Sequence, residues 1–465
     1  MGHKDLKKYI LHCSIFMMAC FMCLFAYIVY LQVIAAPSLL ANPLNTRGNA
    51  ASNIIRGSIL DINGKELAVS DGPGERRYPY GAVMAPVTGY LGEEIGSDGT
   101  EATLGSDLTG QSRQMQMLGP IGQALQSGRG NNVKLTIDAD IQELAYDALG
   151  NNRGAVVVLD VDTGAIITMV SKPVVDPAEV EESWQTLTAR EDSPLLNRAT
   201  QGLYPPGSTI KLLIADAALD EKVTDLNETF KCTGKLQIGK EYIGESHGAV
   251  HGDHVTLDDA VTYSCNVTFG TLAMRMHGKG LENAFDRFGF TTPIESEFHE
   301  SMCHLPQFDK LGDGDTAQVG IGQGETLVTP LRMAMLASAY INKGKVMVPY
   351  LVEEVISPVG LVVRKASPQK WREVTSPQRA SIINGFMENV VEKGTGGAAA
   401  VTGIRITGKT GTAENSAGAD HGWFIGTAEL AKRRIAFCVI VENSGGGGTA
   451  AAPIARQIIT ALENR

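Results

Sequence analysis

Ser208-Thr209-Ile210-Lys211 places a hydroxyl three residues ahead of an amine. On a helix two such side chains share one face, so the lysine can reach the serine. A free serine hydroxyl is a weak nucleophile and needs a base beside it. Lysine serves as that base only when burial or a positive helix end brings its pKa towards neutrality. Further along, Ser264-Cys265-Asn266 offers a second hydroxyl to relay a proton and a carboxamide to hold an amide. Lys409-Thr410-Gly411, followed by Thr412, carries one cation and two hydroxyls on a β-prone stretch, a set suited to a carboxylate. The chemistry is acyl transfer through Ser208 on a substrate ending in a free carboxylate.

Each motif alone is weak. Ser-x-x-Lys recurs at Ser367-Pro368-Gln369-Lys370, where no apolar helical run follows. The order of the three motifs carries the weight, because Ser264-Cys265-Asn266 is the only Ser-x-Asn in the chain and Lys409-Thr410-Gly411 the only Lys-[Ser/Thr]-Gly. That ordered set resembles the penicillin-binding protein and serine β-lactamase superfamily. Further matches follow: Asn197-Arg198-Ala199, Gly322-Gln323-Gly324 leading to Thr329-Pro330-Leu331-Arg332, Gly394-Thr395-Gly396-Gly397 and Trp423-Phe424-Ile425-Gly426. Arg56-Gly57, Asp61-Ile62-Asn63-Gly64, Tyr78-Pro79-Tyr80-Gly81 and Gly99-Thr100-Glu101 narrow the likeness to class B penicillin-binding proteins, of the penicillin-binding protein A type, with their N-terminal pedestal.

The resemblance implies roles. Ser208 attacks the penultimate D-Ala carbonyl of a peptidoglycan stem peptide, and Lys211 takes its proton. Ser264 passes a proton to the departing D-Ala with electrostatic help from Lys409. Asn266 binds a substrate amide, while Thr410, Gly411 and Thr412 bind the terminal carboxylate. The backbone N–H groups of Ser208 and Thr412 form the oxyanion hole, where one lost donor costs about 3–4 kcal/mol of barrier. β-Lactams acylate the same serine. The family uses no cofactor and no metal, and its architecture permits pairing with a membrane-embedded glycan polymerase.

The elements that must position these residues read as α+β. Two β-rich runs flank the turn Asp162-Thr163-Gly164, three more lie near residues 404–412, 423–427 and 435–442, and helical segments fill the middle. Strands from both ends closing one sheet match the transpeptidase fold that the resemblance implies, a five-stranded mainly antiparallel sheet with an all-helical part. Asn63-Gly64 between apolar alternations signals a hairpin in the pedestal. Three parts are expected: residues 1–36 as tail and anchor, 37–150 as pedestal and 151–465 as transpeptidase domain.

Residues 9–36 are almost wholly apolar, long enough to span a bilayer, with Lys4, Lys7 and Lys8 ahead of them. The positive-inside rule then puts the tail in the cytoplasm and the rest outside, as a single-pass anchor. The run is too long for a typical signal peptide. Over 465 residues the apolar fraction is 43%, the charged fraction 20% and the formal charge −11, which allows a large core and argues against nucleic acid as a partner. The 115 or so residues between the anchor and Gly154 are too few for a further sizeable catalytic domain.

Rival readings keep the same acyl-enzyme. A class A β-lactamase needs a glutamate for its deacylating water in a Glu-x-x-x-Asn setting, and none lies between the second and third motifs. A D,D-carboxypeptidase differs only in transferring the acyl group to water. A penicillin-sensing or scaffold protein would need an output domain or would have lost a motif residue. His247, His251 and His254 cluster with Asp253, and Cys232 lies upstream, at spacings zinc sites use. His251-Gly252 also matches a pair the family carries before its Ser-x-Asn motif, so the expectation is a loop with one packed histidine and no metal. Whether Cys232 and Cys265 form a disulfide is left open, since connectivity cannot be read from spacing.

Overall fold

A computed structural model describes residues 3–30, 54–112, 128–415 and 418–465. The first element is α1 (His3–Tyr30), whose described side chains are exposed. Residues 31–36 of the expected anchor lie outside the described residues. Among the described residues no helix is long and apolar enough to cross a membrane.

The pedestal is built from β1 (Ile59–Leu60), β2 (Glu66–Ser70), β3 (Arg76–Arg77) and β4 (Asn132–Leu135), followed by α2 (Ala139–Ala148). The expected hairpin is present between β1 and β2. Asp61 closes its turn by accepting the N–H groups of Asn63 at 2.8 Å and Lys65 at 2.7 Å. Two stretches noted in the sequence meet here. The wholly buried Glu101 carboxylate pairs with Arg56 and Arg76, each at 2.6 Å. Burial works to raise its pKa, and the two guanidinium groups outweigh it and hold the carboxyl below the usual range.

The larger part starts with β5 (Gly154–Asp160) and β6 (Ile166–Lys172), then α3 (Lys211–Asp220). Short strands follow: β7 (Phe230–Cys232), β8 (Lys235–Ile238), β9 (Glu241–Gly244) and β10 (Gly252–Val255). Helices come next: α4 (Leu257–Thr262), α5 (Asn266–Arg287), α6 (Asp313–Gly320) and α7 (Pro330–Ile341). After them lie β11 (Lys345–Met347), β12 (Val352–Ile356), β13 (Val362–Lys365), β14 (Lys370–Glu373) and α8 (Pro377–Glu392). The chain closes with β15 (Arg405–Ala413), β16 (His421–Glu429), β17 (Arg434–Val441) and α9 (Ala452–Glu463).

The main sheet has the order β15-β16-β17-β5-β6, with every pairing antiparallel. Both of its faces are covered, which explains why β5 and β17 read as unbroken apolar runs. Ala155, Val157, Cys438 and Ile440 face the core shared with α3 and α7. Val156, Val158, Phe437 and Val439 face Ile454, Ile458 and Ile459 of α9 and Ile141 and Ala145 of α2. Each such buried aliphatic side chain contributes roughly 1.5–3 kcal/mol.

The middle of the chain is less purely helical than expected. β8 and β9 form a hairpin, β10 pairs with β7, and β11 pairs with β14. These strands are three or four residues long, too short for a two-residue period to stand out. The hairpin of β12 and β13 joins the pedestal, completing a six-stranded sheet of order β13-β12-β4-β1-β2-β3. The pedestal and the larger part therefore share backbone hydrogen bonds rather than side-chain contacts alone.

Candidate active site

The nucleophile segment is a 3-10 turn, Gly207–Ile210, running straight into α3. Leu212, Leu213, Ile214 and Ala215 are fully buried, so α3 is fixed within the core. Ser208 is partly exposed at the start of this element, while Thr209, Ile210 and Lys211 are buried. Gly207 has φ +52°, and a Cβ there would lie 2.6 Å from the Thr412 carbonyl oxygen. Gly411 is held to the same rule, since a Cβ would lie 2.8 Å from Thr209 Cγ2 and 3.2 Å from the Pro206 oxygen. Both glycines let the nucleophile turn and β15 touch backbone to backbone. Trp423, buried on β16, donates from its indole to Pro205 O at 3.1 Å and fixes the approach.

Lys211 joins the first motif to the second. Its ammonium donates to Ser264 O at 2.7 Å, Ser264 Oγ at 3.2 Å and Asn266 Oδ1 at 2.6 Å. The side chain is fully buried, and that burial pushes its pKa down to about 8 against the opposing charge of Glu245. Desolvation is the cause of that lowering. No hydrogen bond joins Lys211 Nζ to Ser208 Oγ among the described residues. The amine faces the second motif, with Ser208 on the preceding turn.

Ser264 sits between α4 and α5 with φ +65°, a left-handed conformation uncommon for a residue with a side chain. Asn266 begins α5. Its Nδ2 donates to Gly244 O at 2.8 Å, and its Oδ1 is taken by Lys211. The carboxamide is therefore oriented in advance. Sequence reasoning missed Glu245, which accepts the backbone N–H groups of Asn266 at 2.9 Å and Val267 at 2.8 Å. It caps α5 from outside the helix and holds the second motif in register. Nothing in the local sequence around it signals this, because the partners lie on a separate element.

β15 is the outer strand of the main sheet, and it carries the third motif along the nucleophile turn. Lys409 is fully buried and donates to Thr410 O at 2.9 Å. Burial, with the charge of Lys211, pushes its pKa well below the usual lysine range. A ligand carboxylate beside it would favour the ammonium form. Thr410 Oγ1 shares a 2.5 Å hydrogen bond with Thr395 Oγ1, so the Gly394-Thr395-Gly396-Gly397 segment supports this strand. Thr412 is partly exposed on the same strand. The other matched stretches are structural. Arg198 is buried against Glu442 at 2.7 Å, and Tyr204 donates to the same Glu442 oxygen at 2.7 Å. Thr329 caps α7 by accepting Arg332 N–H at 3.2 Å.

Serine, lysine, second serine, asparagine and the Lys-Thr-Gly strand are thus brought to one place. Known proteins carry the same organisation. Residues 154–460 match the family model for the penicillin-binding protein transpeptidase domain, and residues 56–133 match that for the penicillin-binding protein A dimerisation domain. The peptidoglycan D,D-transpeptidase PbpA of Mycolicibacterium smegmatis is 32% identical over 471 residues, covering 92% of this chain and 94% of the relative. A solved D,D-transpeptidase domain from Eggerthella lenta superposes with TM-score 0.80 at 32% identity, over 89% of this chain and 99% of that one. The imipenem acyl-enzyme of penicillin-binding protein A from M. tuberculosis gives TM-score 0.80 at 31% identity, over 88% and 99%. With likeness running through both parts of the chain at this level, it belongs to the class B penicillin-binding protein transpeptidases.

Proposed function

We propose that this chain is a peptidoglycan D,D-transpeptidase that cross-links stem peptides through an acyl-enzyme on Ser208 and is inhibited by β-lactams at the same serine. The observation that carries the reading is Lys211, buried with a lowered pKa and bonded to Ser264 and Asn266 one turn from Ser208. Support comes from relatives named peptidoglycan D,D-transpeptidases and from the acyl-enzyme complexes of a structurally similar protein.

Lys211 as neutral amine takes the Ser208 proton while Oγ attacks the D-Ala carbonyl. The oxyanion then rests on the N–H groups of Ser208 and Thr412. Ser264, hydrogen-bonded to Lys211, returns a proton to the departing D-Ala nitrogen, and Lys409 stabilises the charge near it. Asn266 keeps one Nδ2 hydrogen for a substrate amide, since Gly244 O takes the other. Thr410, Gly411 and Thr412 line the carboxylate position on β15. An amine of a second stem peptide then attacks the acyl-enzyme and the hydroxyl is restored. The apolar residues 9–36 would hold the chain in the cell membrane by a single pass, with the catalytic part outside and a glycan polymerase of the membrane as partner.

The lifetime of the acyl-enzyme tests this against a lactamase. After brief exposure to a penicillin, the adduct should persist for minutes or longer, a deacylation barrier of about 20 kcal/mol or more. Steady hydrolysis of a chromogenic cephalosporin with no accumulating adduct would make the chain a lactamase instead.

A further inference from the structure

Behind the second motif, four side chains that the acyl chemistry does not use converge on one point. Cys232 ends β7, Glu245 follows β9, His251 precedes β10, and Cys265 is the middle residue of Ser264-Cys265-Asn266. One donor atom from each lies within 4.8 Å of every other. Cys232 Sγ is 3.3 Å from Glu245 Oε1 and 3.3 Å from His251 Nδ1. Cys265 Sγ is 3.1 Å from Glu245 Oε1, which is 3.9 Å from His251 Nδ1. Zinc bonds of about 2.3 Å to sulfur and about 2.0–2.1 Å to nitrogen or oxygen, at tetrahedral angles, set neighbouring donors about 3.3–3.8 Å apart. The four distances above, 3.1–3.9 Å, straddle that spacing, so small side-chain shifts suffice to close it around an ion.

Cys232 and Cys265 are fully buried and Glu245 is 7% exposed. The His251 ring stacks on Tyr263 at 6.4 Å and 21°. Both cysteines are free thiols. Helix capping accounts for Glu245 and for Cys265, whose Sγ accepts the Thr268 N–H at 3.5 Å, and leaves the convergence of the Cys232 thiol and the His251 imidazole on the same point unexplained. We propose that Cys232, Glu245, His251 and Cys265 form a closed tetrahedral zinc site that holds the Ser264-Cys265-Asn266 turn in place. This replaces the sequence expectation of a single packed histidine. His254, by contrast, is exposed, and Asp253 pairs with Lys231 at 3.1 Å.

Two sulfurs, one imidazole nitrogen and one carboxylate oxygen fill four positions and suit zinc, and with no position left open the site is structural. Binding displaces the two thiol protons to solvent. The cluster then carries one net negative charge, the same as a carboxylate with two neutral thiols, so Lys211 meets an unchanged formal charge. Glu245 keeps its backbone donors from Asn266 and Val267, which orient it as a ligand. Because Cys265 directly follows Ser264 with its left-handed φ, ligation fixes the backbone that presents both Ser264 and Asn266 to Lys211. The four are positioning residues.

The test uses the full chain, expressed with zinc supplied and purified reduced, without metal-chelating resin. Element analysis should find about one zinc per chain in the wild type and in Ser208→Ala, and below about a tenth of that in the Cys232→Ser/His251→Ala double variant. Stripping the wild type with a chelator should lower Tm and slow penicillin acylation, and zinc but not magnesium should restore both. Cobalt in the stripped wild type should show intense thiolate-to-cobalt absorption, a readout independent of how the variants fold. The proposal is overturned if the wild type holds no zinc and takes none up. It is also overturned if zinc persists in the double variant, or if the native protein carries a Cys232–Cys265 disulfide. A zinc-free chain that still acylates at Ser208 would remove the metal site and leave the transpeptidase reading standing.

Discussion

Replacing Ser208 with alanine should abolish the covalent mass increase that penicillin produces, lowering acylation by about five to six orders of magnitude. The residue is partly exposed near the start of a turn whose neighbours are buried, and no packing depends on its hydroxyl. Stability should therefore stay within about 0.5 kcal/mol of wild type. Intact-mass spectrometry and a thermal melt check the two halves, and peptide mapping of the wild type should place the adduct on the peptide holding Ser208. An adduct on Ser264 or Ser367 would move the nucleophile elsewhere.

Lys211→Met should slow acylation by about 100- to 10,000-fold, the usual contribution of a positioned base, with little change in initial binding. Methionine keeps most of the buried stem, so the loss reports on the amine. The variant also leaves Asn266 Oδ1 and Ser264 O without their donor, and a modest fall in Tm should accompany it. The pH profile adds a sign. Burial lowers the Lys211 pKa to about 8, and only the neutral amine can accept the proton. Wild-type acylation should thus rise about tenfold per pH unit below that value and level off above it. The variant should lose this limb. A wild-type rate flat from pH 6 to 9 would take the base role away from Lys211.

Much of this was legible in the chain. The three motifs needed no structure, because each packs its chemistry into three or four consecutive residues. The five strands of the main sheet were legible too, since burial on both faces leaves unbroken apolar runs such as residues 154–159 and 435–441. What could not be read was contact between distant segments. β12 pairs with β4 more than 200 residues away, and strand pairing at that range leaves no local pattern. Glu245 was invisible for a related reason: it reaches the second motif across a loop, with no periodicity to mark it. Arg198 was noted only within a matched stretch and Glu442 only as the end of a strand, and the fold shows them as one buried pair. Cys265 was read as the variable position of its motif, and its side chain lies in the cluster with Cys232, Glu245 and His251.

The central claim, acyl transfer from Ser208 to an amine, is tested most directly by following the products from a donor peptide ending in D-Ala-D-Ala, with and without a D-amino acid as acceptor. The account predicts release of D-Ala in both cases, an amide-linked product that grows with acceptor concentration, and the loss of all products in Ser208→Ala. Release of D-Ala solely with the hydrolysed acid, whatever the acceptor concentration, would contradict it and make the chain a carboxypeptidase.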